Sequence, residues 1–98
     1  MATKIVVKPL AEIDLEEIFV WYELKKDGLG EAFIADFDNT IRKIRLNPFY
    51  AGFIEGNARN ATLTRFPYNI IYTVEKKTAY IHAIMHQSRN PLLTSARL

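Results

Sequence analysis

Residues 9–46 read PLAEIDLEEIFVWYELKKDGLGEAFIADFDNTIRKIRL, and the periodicity of this stretch decides the fold. Ala11, Leu15, Ile18 and Tyr22 fall at i, i+4, i+7 and i+11, one face of an α-helix. Phe33, Phe37, Ile41 and Ile44 make a second helical stripe. Pro9 suits a first turn, where its missing N–H would have no intrahelical partner. Glu12, Asp14, Glu16 and Glu17 lie toward the amino end of the first helix and Lys25 and Lys26 toward its carboxyl end, each favourable to the helix dipole. Asp27-Gly28 closes that helix, because glycine accepts left-handed backbone. Arg42, Lys43 and Arg45 load the last turn of the second, and Asn47-Pro48 stops it. So short a link between helices at 9–26 and 29–46 predicts an antiparallel helical hairpin.

Outside the hairpin the patterning is β. Lys4–Lys8 is a short β-branched run ended by Pro9. Leu63–Phe66 is a candidate strand, with Pro67 at the break. Tyr68–Glu75 alternates, Tyr68, Ile70, Tyr72 and Val74 against Asn69, Ile71 and Thr73. Lys76-Lys77 makes a polar turn without the glycine that two-residue hairpins prefer. Thr78–Met85 alternates again, setting Ala79, Ile81, Ala83 and Met85 opposite Tyr80, His82, Ile84 and His86. The predicted class is α+β, in the order β-α-α-β-β-β: an N-terminal strand, the helical hairpin, then a three-stranded antiparallel meander whose sheet is covered on one face by the helices.

The chain has 98 residues, one domain's worth spanning 1–98, and should bury roughly two-thirds of its unfolded surface. It is 49% apolar and 24% charged, a globular balance. With no cysteine, disulfide frameworks and thiolate zinc sites are excluded. No apolar run approaches the ~20 residues of a membrane span, and MATKIVVKPL lacks a signal peptide's apolar stretch, which predicts a cytoplasmic protein. Net charge is only +2, but it is polarised. Met1–Ile41 holds nine acids against four bases, and Arg42–Leu98 nine bases against Glu55 and Glu75. That asymmetry points either to a polyanionic partner for one face or to solvated helices and base-flanked strands.

In this order the residues resemble the RelE/ParE toxin superfamily. The likeness lies in Ala11-x-x-Asp14-Leu15-x-Glu17-Ile18-x-x-Trp21-Tyr22, in Arg65-Phe66-Pro67-Tyr68-x-Ile70-x-Tyr72, and in Ile81-x-Ala83-Ile84-x-His86-x-x-Arg89-x-Pro91. The resemblance implies two helices against a three- or four-stranded antiparallel sheet, and the toxin half of a bacterial toxin–antitoxin (plasmid stabilisation) pair. It also implies a cognate antitoxin as partner, with a toxin–antitoxin hetero-oligomer, and no membrane. ParE-like members bind DNA gyrase; RelE-like members cleave messenger RNA on the ribosome. Cleavage through a 2′-hydroxyl needs a base, an acid and cations for the phosphorane charge. For a RelE-like chemistry the resemblance supplies Arg65, His86 and Arg89 as catalytic candidates, with Arg59 in support. For a ParE-like one it supplies Arg59, Arg65 and Arg89 as the target-binding surface.

Each candidate also has a plainer role. Arg65 beside Phe66-Pro67 suits a solvated edge charge, and His86 at a strand end suits a structural hydrogen bond. Arg89 suits either a bidentate grip on phosphate or an ion pair with an acid such as Glu17. Along a regular strand His82 and His86 stand ~13 Å apart on one face, too far for a shared metal. Neither metal-ligand spacing nor a glycine-rich phosphate loop occurs, so no cofactor is implied. RelE-like nucleases usually carry several Lys and Arg on the middle strands and a tyrosine near the carboxyl end. Here the last tyrosine is Tyr80, the tail reads Leu92-Leu93-Thr94-Ser95, and net +2 is weakly basic for docking on ribosomal RNA. The pattern leans toward the ParE-like branch. An antitoxin segment would order as a helix in the groove beside the hairpin or as a strand on the sheet edge.

Overall fold

The helices form where the stripes place them. In the structure, a computed structural model that describes residues 3–88, α1 runs Pro9–Lys25 and α2 runs Leu29–Leu46. Pro9 occupies the first turn of α1, and the Lys26 N–H donates to the Tyr22 carbonyl at its end. Gly28 takes the left-handed conformation at φ +86°, and its carbonyl accepts from the Ala32 N–H, starting α2. Gly30 sits where α2 crosses α1: a Cβ there would meet the Phe19 carbonyl oxygen at 2.6 Å. Its N–H donates to Glu23 Oε1 at 2.9 Å, which ties the two helices at their closest approach.

The strands are β1 (Lys4–Val7), β2 (Phe53–Glu55), β3 (Ala58–Thr62), β4 (Tyr68–Glu75) and β5 (Thr78–His86), in one sheet ordered β1-β5-β4-β3-β2. The class is α+β, as the patterning predicts, but two expectations are corrected. The sheet has five strands and is mixed, because β1 lies parallel to β5, with Lys4 opposite Thr78 and Val7 opposite Ile81. Leu63–Phe66 is not a strand; the chain pairs just before it, through β3 and the short β2. The reason is Asp36, only 4% exposed on α2. Its carboxylate accepts the N–H groups of Thr64 at 3.2 Å, Arg65 at 2.8 Å and Phe66 at 2.9 Å. Donors held by a side chain do not join a ladder.

The core lies between helices and sheet. Phe33, Ile44, Ile70, Tyr72 and Ile81 are fully buried in it, and Leu15 and Tyr22 complete the α1 contribution. Phe66, the centre of the Arg-Phe-Pro-Tyr turn, puts its ring edge-on to Tyr22 at 4.9 Å and to Phe33 at 5.6 Å. The Gln87 N–H donates to the Pro67 carbonyl, closing that turn onto the end of β5.

The regular alternation expected for the last strand is interrupted. Ile71 pairs with Ala83 but Tyr72 pairs with Ile81, so His82 is an extra residue, a β-bulge. Ala79, Ile81 and Ile84 therefore all face the helices, while Ala83 and Met85 join Ala58, Ile71 and Ile54 on the opposite face. Among the described residues no helix is long and apolar enough to cross a membrane.

Candidate functional site

The bulge also separates the two histidines, which regular spacing would have placed on one face. His82 lies on the open side of the sheet, its Nε2 2.8 Å from Thr73 Oγ1. Burial and the nearby Lys8 ammonium push its pKa below the ordinary 6.5, so the ring is neutral at pH 7. Lys8, Asn57, Thr73, Glu75 and Tyr80 line a depression of about 360 Å³ with it. His86 lies on the helix side, where its ring meets Tyr68 edge-on at 5.2 Å. Its Nδ1 accepts the Ser88 N–H at 3.1 Å and lies 2.8 Å from Ser88 Oγ. With Nδ1 as acceptor, the neutral ring carries its proton on Nε2.

Arg65 and His86 reach the same end of the sheet, because Tyr68 pairs with His86 and the Pro67 carbonyl holds Gln87. They open into different depressions. Arg65 shares one of about 350 Å³ with Asn39, Arg42 and Thr64. Lys43 Nζ lies 3.4 Å from Thr64 Oγ1, so three cations gather where α2 meets the Arg-Phe-Pro-Tyr turn. Arg42 and Lys43 read in sequence as helix-end residues, and only the turn captured by Asp36 brings Arg65 beside them. His86 instead lines a cleft of about 300 Å³ against α1, with Asp14 and Glu17 on the far wall. Asp14 Oδ2 accepts the Ile84 N–H at 3.0 Å, which docks α1 onto β5 just past the bulge.

Arg59 is committed elsewhere. Its Nη1 donates to the carbonyls of Ala51 at 2.7 Å and Phe49 at 3.1 Å. The guanidinium carbon lies 4.0 Å from the centre of the Phe53 ring. Opposite it, the Tyr72 hydroxyl donates to the Pro48 carbonyl at 2.8 Å. Burial raises the Tyr72 pKa to about 12, with Tyr50 adding and Arg59 opposing, so Tyr72 is a structural donor at neutral pH. Together Arg59 and Tyr72 pin the segment that leads from α2 into β2. Arg89 lies outside the described residues.

The least expected surface is the solvent side of α1, where Leu10, Ile13, Val20, Trp21 and Leu24 are all exposed. These residues recur at helical spacing but on the side away from the core stripe, a signal that a search for a single stripe passes over. Among the described residues no group of three or more His, Cys, Asp and Glu side chains is placed to hold a metal ion.

Neither a family model nor a curated protein matches the sequence. The fold is similar to that of a chain in a solved structure described as the chromosomal ParDE TA system from P. aeruginosa. The two superpose with a TM-score of 0.76 at 19% identity, over 86% of this chain and 95% of that one. What this likeness shows is the fold: a helical hairpin over a β-sheet, shared with a component of a ParDE system over nearly its whole length.

Proposed function

We propose that residues 1–98 form a single toxin domain of a type II bacterial toxin–antitoxin (plasmid stabilisation) system, neutralised in the cytoplasm by a cognate antitoxin. The observation that carries this reading is the fold shared with the ParDE chain, together with the residue patterns resembling RelE/ParE toxins. Its mode of action is binding rather than catalysis, with a target such as DNA gyrase. In support, the candidates for RNA cleavage among the described residues do not converge. Arg59 holds backbone carbonyls, and Arg65 and His86 face separate depressions. A base, an acid and a charge-stabilising cation act together only when they surround one reacting centre. The exposed Arg65, with Arg42 and Lys43 beside it, is the described part of the target-binding surface, to which Arg89, outside the described residues, and Arg59, held by the Ala51 and Phe49 carbonyls, also belong in this reading.

Expression of the chain without its antitoxin, followed by timed measurement of DNA and protein synthesis, tests this. Gyrase binding is expected to stop replication first, to induce the DNA-damage response and to inhibit supercoiling by purified gyrase. Prompt translation arrest with in-frame cleavage of ribosome-bound messages would replace it with the endoribonuclease reading, in which Arg65, His86 and Arg89 are catalytic. Arg65→Ala and Arg89→Ala are each expected to weaken growth arrest. Full toxicity in both would remove the basic surface from the argument.

A further inference from the structure

Arg42, Lys43 and Arg65 come from two separate stretches of chain, and the turn captured by Asp36 gathers them at one depression. Arg42 and Arg65 line it together with Asn39 and Thr64, and Lys43 stands at its rim, Nζ 3.4 Å from Thr64 Oγ1. All three cations are exposed, and among the described residues none of them makes an ion pair. The acid in the lining is Asp36, and both of its oxygens already accept backbone N–H groups. Asp38, one turn before Arg42, lies outside the lining. Like charges gathered in this way repel one another, and a bound anion relieves that cost.

The charge and the geometry of the donors select the anion. Three cations against the Asp36 carboxylate leave two positive charges. A phosphate monoester matches them, carrying roughly −1.5 to −2 near pH 7. Each guanidinium offers a planar fork of N–H donors, and the Thr64 hydroxyl and Asn39 amide add neutral ones. A carboxylate has only two oxygens, and a single guanidinium occupies both. A terminal phosphate has three, set tetrahedrally, so a fork from α2, a fork from the turn and an ammonium can approach it from different sides. The depression, about 350 Å³, has room for the phosphate and part of the group that carries it.

We propose that the depression between α2 and the Arg-Phe-Pro-Tyr turn binds a terminal phosphate group, with Arg42 and Arg65 as its two forks and Lys43 as the third charge. The phosphate is that of a free nucleotide or of the 5′ end of a nucleic-acid strand, and the recognising chemistry is the same for both. The site lies on the surface that the toxin reading gives to a target. It rests on that reading for its part in toxicity, but not for the binding of phosphate.

The test titrates the full chain with AMP, adenosine, succinate and a short oligothymidylate with and without a 5′ phosphate, following arginine Nε–H signals by NMR. AMP should shift the signals of Arg42 and Arg65, and adenosine should leave them in place. Succinate carries the same charge on planar carboxylates and should bind about tenfold more weakly than AMP. Equal affinity for AMP and the phosphorylated strand identifies the free nucleotide as the source. A phosphorylated strand that binds about tenfold tighter than AMP, and loses that affinity with its phosphate, identifies the nucleic-acid end. Arg42→Gln and Arg65→Gln should each weaken AMP binding about tenfold, and Arg65→Lys should not restore it, because an ammonium has no fork. Lys77→Gln removes an equal charge from the exposed β4–β5 turn and should change binding by no more than about twofold. Succinate binding as tight as AMP, equal binding of the strand with and without its phosphate, or equal losses in Arg65→Gln and Lys77→Gln would each overturn the proposal. Phosphate binding by a chain that never arrests growth would keep the site and remove the toxin reading. Growth arrest by a chain that binds none of these ligands would overturn the site and leave the toxin reading standing.

Discussion

Asp36 organises the turn between β3 and β4. Three consecutive backbone N–H groups end on its carboxylate, and they belong to the turn that carries Arg65 and the core ring of Phe66. Asp36→Ala leaves those donors without an acceptor and should lower the unfolding free energy by about 2–4 kcal/mol in urea melts. Arg65→Ala, on the same turn but exposed, should shift it by no more than about 0.5 kcal/mol. A toxicity loss in Arg65→Ala is then a loss of contact and not of fold. Arg59 makes the converse case. Arg59→Lys keeps the charge but cannot reach two carbonyls and stack on Phe53 at once, so a loss of about 1–2 kcal/mol is expected. An unchanged melt would show that the segment after α2 is held without the Arg59 contacts, by Tyr72 and its backbone hydrogen bonds.

The elements meet at points where one residue sets the distance. Gly30 allows α2 to cross α1 against the Phe19 carbonyl. Gly30→Ala gains helix propensity of about 1 kcal/mol, yet the methyl would displace backbone. A net destabilisation of about 1–3 kcal/mol is expected from thermal or urea unfolding. A more stable variant would mean that the hairpin opens at little cost. In β5 the bulge at His82 turns one strand into two half-strands of opposite facing. His82 is disfavoured as a cation by burial and by Lys8, with Glu75 and Tyr80 lining the same depression. Its folded pKa is depressed, so the unfolded chain binds the proton first. Stability is full above the unfolded value near 6.5 and falls as pH drops from there through the folded pKa. The slope of unfolding free energy across that window should shrink in His82→Gln, and an identical slope in both proteins would assign it to other groups.

Across the whole molecule, protection should follow the sheet order. β5 is flanked on both sides, by β1 and β4, and β4 by β5 and β3. β2 is three residues long, at an edge, and out of regular register with β3. Native-state hydrogen exchange should place the slowest amides in β4 and β5 and the fastest paired amides in β2. Slow exchange at Phe53–Glu55 would contradict this. The charge polarity also takes its place here. Glu16 and Glu17 line the outer groove of α1 among apolar side chains, and three bases gather where α2 meets the Arg-Phe-Pro-Tyr turn. The modest net charge conceals two surfaces with opposite preferences for a partner.

Local chemistry sufficed for the two helices: 3.6-residue apolar spacing, a proline at the start and a left-handed glycine between them are properties of the chain itself. The Tyr68–Glu75 strand and the Lys76-Lys77 turn were legible for the same reason. Long-range contacts decided the rest. No local pattern told Leu63–Phe66 that Asp36, about thirty residues away, would take its hydrogen bonds, and a bulge leaves no mark in an alternating sequence until the partner strand is known. The candidate residues and two alternative sets of roles follow from the resemblance, but not the contacts each side chain makes. Which cation is exposed to a partner and which is held by a carbonyl depends on what the fold brings within reach, as Arg65 and Arg59 show.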